Sequence, residues 1–169
     1  QSGHLRREQW KAIADWIPEG SHVVDVAAGT GRFHRDVLAG RVGGYLALDI
    51  NPTFVEDMRR RGIDARCTDI RKDAIPVGDV VIILSALYHF KDKAHEMLGK
   101  LLDSARKRLI ILESVGTEMT VSSWPNRIRA ALANIGEGPI YDRFRKEELE
   151  ALCNAFGPVE YQGSLPGNV

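Results

Sequence analysis

The sequence predicts an α/β domain: a doubly wound, mostly parallel sheet of about six strands in the order 3-2-1-4-5-6, flanked by helices on both faces. Three observations predict it. Apolar, β-branched runs (Val23–Val26, Val80–Leu84, Arg108–Glu113) alternate with stretches of helical periodicity, at a spacing that suits right-handed βαβ crossovers. A turn of small residues, Ala27-Ala28-Gly29-Thr30-Gly31, joins the first run to a helical pattern and marks the entrance to a ligand crevice in an open sheet. The chain has 169 residues, enough for one domain with a proper core and too few for two.

Each element follows from its residues. Gln1–His4 has the look of a cleaved tag remnant and is set aside, leaving 5–169 as a single domain. Leu5–Ile17 is predicted as an amphipathic helix with Leu5, Trp10, Ile13, Ala14 and Ile17 on one face, stopped by Pro18-Glu19-Gly20. After the strand Val23–Val26 and the small-residue turn, Arg32–Leu38 is expected to be helical, with Phe33 and Val37 one turn apart. Gly40–Gly44 is a turn, and Tyr45–Asp49 the second strand. Asn51 is a fitting N-cap with Pro52 at the first helical position, so a helix should run to about Arg61 and end at Gly62.

Asp64–Thr68 is a short third strand, less apolar and suited to an edge, and Ile70–Pro76 a loop. Val80–Leu84 is the most continuously apolar strand and belongs at the centre, buried on both faces. Asp92–Ala105 is predicted helical with Met97, Leu98, Leu101 and Leu102 toward the sheet, followed by the fifth strand, Arg108–Glu113. Beyond Val115 the pattern gives a helix from Ser122 or Ser123 through Trp124, Ile128, Leu132 and Ile135. A second helix follows over Arg145–Phe156, then a last short strand at Pro158–Gln162.

Composition narrows the function classes. Lys and Arg number 23 and Asp and Glu 23, so no net field draws the chain to nucleic acid or to an anionic membrane, and a small-molecule partner is favoured. No apolar run approaches the roughly 20 residues that span a bilayer, and no secretory signal opens the chain, which predicts a cytoplasmic protein. Cys67 and Cys153 are far apart and lack metal-type spacing, as expected of reduced, partly buried thiols. His22, His34 and His95 have no carboxylate or cysteine at ligand spacing, so no zinc or iron site is expected.

The informative residue of the turn is Asp25. A nicotinamide dinucleotide site would place a third glycine where His34 stands, and a carboxylate in the preceding strand repels phosphate. Leaving Asp25 unpaired in an apolar strand would be costly, so it points to a cationic ligand. The segment VVDVAAGTGRF (23–33) resembles motif I of the class I S-adenosylmethionine-dependent methyltransferases, whose pattern is D-x-G-x-G-x-G. Asp25, Gly29 and Gly31 match, and Ala27 stands at the first glycine, a place alanine fills if φ stays negative. LALDIN, CTDIRKDAIPVGDVVIIL, SALYHF and LIILESVG follow in the family's order, so the resemblance covers roughly residues 5 to 165. It is closest to the menaquinone and ubiquinone biosynthesis branch.

The resemblance implies an S-adenosyl-L-methionine co-substrate and a small-molecule methyl acceptor. It implies that Asp25, Ala27, Gly29 and Gly31 form the cofactor turn. Asp49, followed by Ile50, would hold the ribose hydroxyls, since a carboxylate accepts two hydrogen bonds from a diol. Asp69 would bind the adenine amino group with Ile70 against the ring, and the Ser85 backbone carbonyl would meet the methionine ammonium. Tyr88 and His89 follow the central strand within reach of a substrate. His89 and Glu113, at the end of the fifth strand, are the candidates for a general base. Trp124, Arg127 and Arg129 fall where loops of this family shape the acceptor pocket. A non-catalytic S-adenosylmethionine-binding module is the alternative. The family's antiparallel seventh strand should begin where the chain stops, at 163–169: either the natural protein lacks that strand or the tail is missing from this chain. The edge it would leave uncovered invites a homodimer.

Overall fold

Residues 2–115 and 143–160 are described in the computed structural model, with the side chains of the first helix from Arg7 onward. The elements are α1 (Ser2–Ala14), β1 (His22–Val26), a π-helical turn (His34–Leu38), β2 (Gly44–Asp49), α2 (Pro52–Arg60) and β3 (Ala65–Cys67). They continue with β4 (Gly78–Leu84), a 3₁₀ segment (Leu87–Lys93), α3 (Ala94–Asp103), β5 (Ala105–Leu112) and α4 (Lys146–Asn154). The five strands form one sheet, β3-β2-β1-β4-β5, every neighbouring pair parallel. This is the predicted order for the first five strands. Pro158–Glu160 are not in a strand, and the rest of the predicted sixth strand lies outside the described residues. The predicted helix with Trp124, Arg127 and Arg129 lies outside them too.

Period-two alternation sorts the side chains into two layers. Val24, Val26, Val81, Ile83 and Leu48 point to one face, where Met97 and Leu101 of α3 and Phe144 close the core. Val23, Val80, Ile82 and Ile110 point to the other, under Ile13 and Ala14 of α1, Ile17, Phe33 and Leu38. Alongside this second face, Val55 and Met58 of α2 pack on Ala47 and Ala65. Val80–Ile83 are fully buried, as a central parallel strand requires.

Local chemistry explains most boundaries. The Asn51 side chain accepts the Thr53 N–H at 2.9 Å with Pro52 first in the helix, and α2 closes with Gly62 at φ +77°. Three expectations are corrected. The segment after the turn is a π-helical turn, not an α-helix: the Ala39 N–H donates to the His34 carbonyl at 2.9 Å, five residues back. Helix α1 begins at Ser2, inside the supposed tag, and ends at Ala14, with Trp16 and Ile17 in turns. Leu102 is 36% exposed rather than facing the sheet, because α3 starts at Ala94 and turns its apolar stripe through Met97, Leu98 and Leu101. Cys67 is exposed and Cys153 half-buried, both free thiols. Among the described residues no helix is long and apolar enough to cross a membrane.

Candidate functional site

The chain leaves β1 toward β2 on one side and β4 toward β5 on the other, so the carboxyl ends of β1 and β4 flank a topological switch point. The first residue past each strand is a non-glycine in the left-handed region: Ala27 at φ +57° and Ser85 at φ +57°. Such a conformation costs an L-residue about 1–2 kcal/mol, and strain of this kind clusters at ligand sites. The negative φ expected of Ala27 is therefore corrected. The chain turns left there so that the Ala28 N–H can reach the Leu48 carbonyl at 3.0 Å, tying the turn to β2.

The two glycines do different work. Gly31, at φ +67°, has no room for a side chain: a Cβ would lie 2.8 Å from Met58 Sδ and 3.2 Å from Ile63 Cδ1. It lets the turn pack on α2. Gly29, at φ +58°, faces open space, with nothing within 4 Å of where its Cβ would be. Its backbone is open to a close approach. Asp49, 8% exposed at the end of β2, accepts the Gly29 N–H through Oδ2 at 2.7 Å and the Asn51 N–H through Oδ1 at 2.8 Å. That places a nearly buried carboxylate at the mouth of the turn, held from both sides. Ile50, next to it, is 53% exposed, an apolar side chain left open beside a polar anchor.

Asp25 lies deeper, 2% exposed, and its Oδ2 accepts the Tyr45 hydroxyl at 2.5 Å. Burial pushes its pKa up from 3.8 to about 7; the Tyr45 hydrogen bond opposes that shift and the nearby Asp49 charge adds to it. Burial likewise raises the Tyr45 hydroxyl well above its ordinary value, so Tyr45 remains the donor. His34 stacks on the Tyr45 ring at 4.3 Å, its buried Nδ1 has no hydrogen-bond partner, and burial lowers its pKa. Sequence reasoning missed Tyr45. The signal was present: a buried phenol needs an acceptor, and a buried carboxylate one strand away needs a donor.

Asp69 and Ile70 sit after β3. The Asp69 carboxylate is engaged by Arg71, with Oδ1 accepting Nε at 2.8 Å, and Lys72 is 3.7 Å from Oδ2; the Arg71 hydrogen bond holds its pKa down. Ile70 is 5% exposed and belongs to the α3-side core.

On the other side of the switch point, Ser85 is exposed and its N–H donates to the Leu112 carbonyl at 2.6 Å. Glu113, 6% exposed, accepts the Tyr88 N–H through Oε2 at 3.2 Å and the Ser114 N–H through Oε1 at 3.1 Å. Burial raises its pKa from 4.5 to about 7, against those backbone hydrogen bonds and the Arg143 charge. The Tyr88 and His89 rings lie 4.0 Å apart, and the Arg143 guanidinium sits 4.4 Å from the Tyr88 centroid. Lys91 donates to the Arg143 carbonyl at 3.1 Å and pairs with Glu148 at 3.0 Å, fixing that segment against the 3₁₀ turn. Arg143 was not anticipated from the sequence, since nothing local links it to Tyr88. The structure thus gathers Asp25, Ala27, Gly29 and Asp49 on one side, and Ser85, Tyr88, His89 and Glu113 on the other. A separate groove of about 400 Å³ runs along the outer edge of β5, past Trp16, Leu98, Leu109 and Phe156; it reaches Glu113 but not the turn. Among the described residues, no three His, Cys, Asp or Glu side chains are grouped as metal ligands.

The same architecture occurs in solved methyltransferases. Magnesium protoporphyrin IX methyltransferase from Synechocystis PCC 6803, with bound S-adenosylhomocysteine, superposes with a TM-score of 0.63 at 16% identity, over 89% of this chain and 72% of that one. A putative methyltransferase from Bacillus halodurans C-125 gives a TM-score of 0.65 at 15% identity, over 88% and 67%. The complex of the Haloferax volcanii Trm112 methyltransferase activator with a putative methyltransferase gives 0.62 at 17%, over 89% and 69%. The fold is that of these methyltransferases. No protein-family model matches the chain, and neither does any curated protein.

Proposed function

We propose that this chain transfers a methyl group from S-adenosylmethionine to a small-molecule acceptor. The observation that carries the reading is Asp49: a carboxylate at the carboxyl end of β2, tied to Gly29 and Asn51, beside a left-handed turn at the switch point. The residues fit a nucleoside with an amino-acid tail. Gly29 leaves space for close approach, Ile50 offers an open apolar side chain to a base, and Asp49 places carboxylate oxygens, which accept hydroxyl hydrogen bonds, at the end of β2. Asp69 and Ile70 would border the adenine, Ser85 would offer its carbonyl to the ammonium, and Asp25 would supply negative charge beneath Ala27 and Gly31.

The sulfonium brings an activated methyl group, so the protein's task is to align the acceptor and exclude water. Glu113 and His89 would take a proton from an O, N or acidic C acceptor, with Tyr88 and Arg143 shaping the approach. Burial raises the Glu113 pKa to about 7, where a base is most useful, and backbone hydrogen bonds from Tyr88, Ser114 and Leu87 aim it. The likeness of the fold to a magnesium protoporphyrin IX methyltransferase supports a small-molecule acceptor. The resemblance to the menaquinone and ubiquinone branch makes quinone precursors the first acceptors to try.

The test is calorimetric titration with S-adenosylhomocysteine, followed by a methyl-transfer assay over a panel of phenolic and quinone-precursor acceptors. Binding and turnover are expected. Binding without turnover on any acceptor would favour a non-catalytic module, and a folded chain that binds neither S-adenosylmethionine nor S-adenosylhomocysteine would refute the proposal.

A further inference from the structure

The site described above leaves one contact without a role: the hydroxyl of Tyr45 on Asp25. Tyr45 is the second residue of β2 and pairs in register with Val23, two residues before Asp25 on β1. Its side chain therefore lies on the same face as Asp25 and reaches along it to Oδ2. Among the described residues, Tyr45 is the only side chain that hydrogen-bonds the Asp25 carboxylate. A carboxylate buried to this degree favours its neutral form unless a donor stabilises the charge.

We propose that Tyr45 is a positioning residue for the co-substrate site: its hydroxyl anchors Asp25 and keeps that carboxylate charged beneath the crevice, where the charge favours a cationic ligand. The proposal rests on the methyltransferase reading and deepens it. S-adenosylmethionine carries a sulfonium that S-adenosylhomocysteine lacks, so a charged Asp25 should favour co-substrate over product.

The surroundings make Tyr45 the controlling group. From β2, Asp49 adds only negative charge and opposes ionisation of Asp25. From β4, the residue in register is Ile82, and α1 contributes Ile13 and Ala14 to this face. On the π-helical turn, Arg35 pairs with Asp36, as does Arg32 just before the turn. His34 touches Tyr45, and its burial lowers its pKa, which disfavours its charged form. Hydrogen-bonded stabilisation of the anion thus comes from one phenol, which stays protonated.

The experiment measures S-adenosylmethionine and S-adenosylhomocysteine affinity from pH 5.5 to 8.5 for the parent chain and Tyr45→Phe, which keeps the ring against His34. In the parent, S-adenosylmethionine affinity should weaken as pH falls through about 7, and the preference over S-adenosylhomocysteine should shrink with it. In Tyr45→Phe the midpoint should move up by about one pH unit. Because Glu113 also titrates near 7, the same shift is measured in a Glu113→Gln background, where it should persist. Should Tyr45→Phe fail to fold, Asp25→Asn serves instead and should flatten the pH dependence. An unmoved midpoint in folded Tyr45→Phe, a pH-independent parent, or a pH dependence that survives Asp25→Asn in the Glu113→Gln background overturns the proposal while leaving the methyltransferase reading standing. A folded parent that binds neither ligand at any pH overturns the reading itself.

Discussion

The two sides of the switch point are built alike and held differently. Each has a strand that ends in a left-handed non-glycine, Ala27 after β1 and Ser85 after β4, and each has a buried carboxylate raised to about 7, Asp25 and Glu113. On the β1–β2 side the ties span short stretches of chain: Tyr45 to Asp25 and Gly29 to Asp49 are both 20 positions apart. On the β4–β5 side, Tyr88 to Glu113 spans 25 positions and Lys91 to Arg143 spans 52. The first side is one supersecondary unit, tied within itself by the Tyr45–Asp25 and Gly29–Asp49 hydrogen bonds. The second is assembled from three separated segments, and its carboxylate is held by backbone N–H groups instead of a phenol. On the proposed reading, the co-substrate side is encoded locally and the acceptor side is put together from separated segments.

The largest expected effect breaks the symmetry of the two carboxylates. The unfolded chain releases the Asp25 proton near 3.8 and the folded chain near 7, so between those values the folded state holds the extra proton and stability falls as pH rises. Asp25→Asn removes that fall. It should be more stable than the parent by about 2–4 kcal/mol at pH 8 and close to it at pH 4, by urea denaturation. It should also weaken S-adenosylmethionine binding, a stability gain at the expense of function.

Glu113→Gln probes the other side and should separate chemistry from binding. If Glu113 takes the acceptor proton, kcat should drop about 100-fold and lose its rise through pH 7, with S-adenosylhomocysteine affinity retained. A lower melting temperature with unchanged kcat would instead make Glu113 a clasp for the Tyr88 and Ser114 backbone. The smallest effect concerns the strained turns. Ala27→Gly and Ser85→Gly should each relieve left-handed strain, raising stability by about 1 kcal/mol by the same denaturation measurement. A destabilised Ala27→Gly would show that the alanine side chain packs usefully.

How much of this could be read from the sequence follows the same division. Val80–Leu84 declared a central strand because nothing polar interrupts it, and Asn51-Pro52 with Gly62 bounded α2 through local capping chemistry. Asp49 stood out by its place at a strand end, but its hydrogen bond to the Gly29 turn was not legible, because the two meet only across adjacent strands. The π-helical turn was hidden, because one carbonyl shift from an i+4 to an i+5 donor changes no residue pattern. The left-handed Ala27 was hidden because alanine ordinarily keeps φ negative, and only the tie to Leu48 reverses that preference. Arg143 over Tyr88 was hidden because cation and ring meet only through the folded chain.

The central claim is that Asp49 binds ribose hydroxyls at the mouth of the Gly29 turn. Calorimetric titration of S-adenosylhomocysteine into the parent chain and Asp49→Ala tests it most directly. The account predicts an affinity loss of roughly 1–3 kcal/mol in a variant that keeps its fold by circular dichroism. An affinity equal to the parent's, in that folded variant, would contradict it.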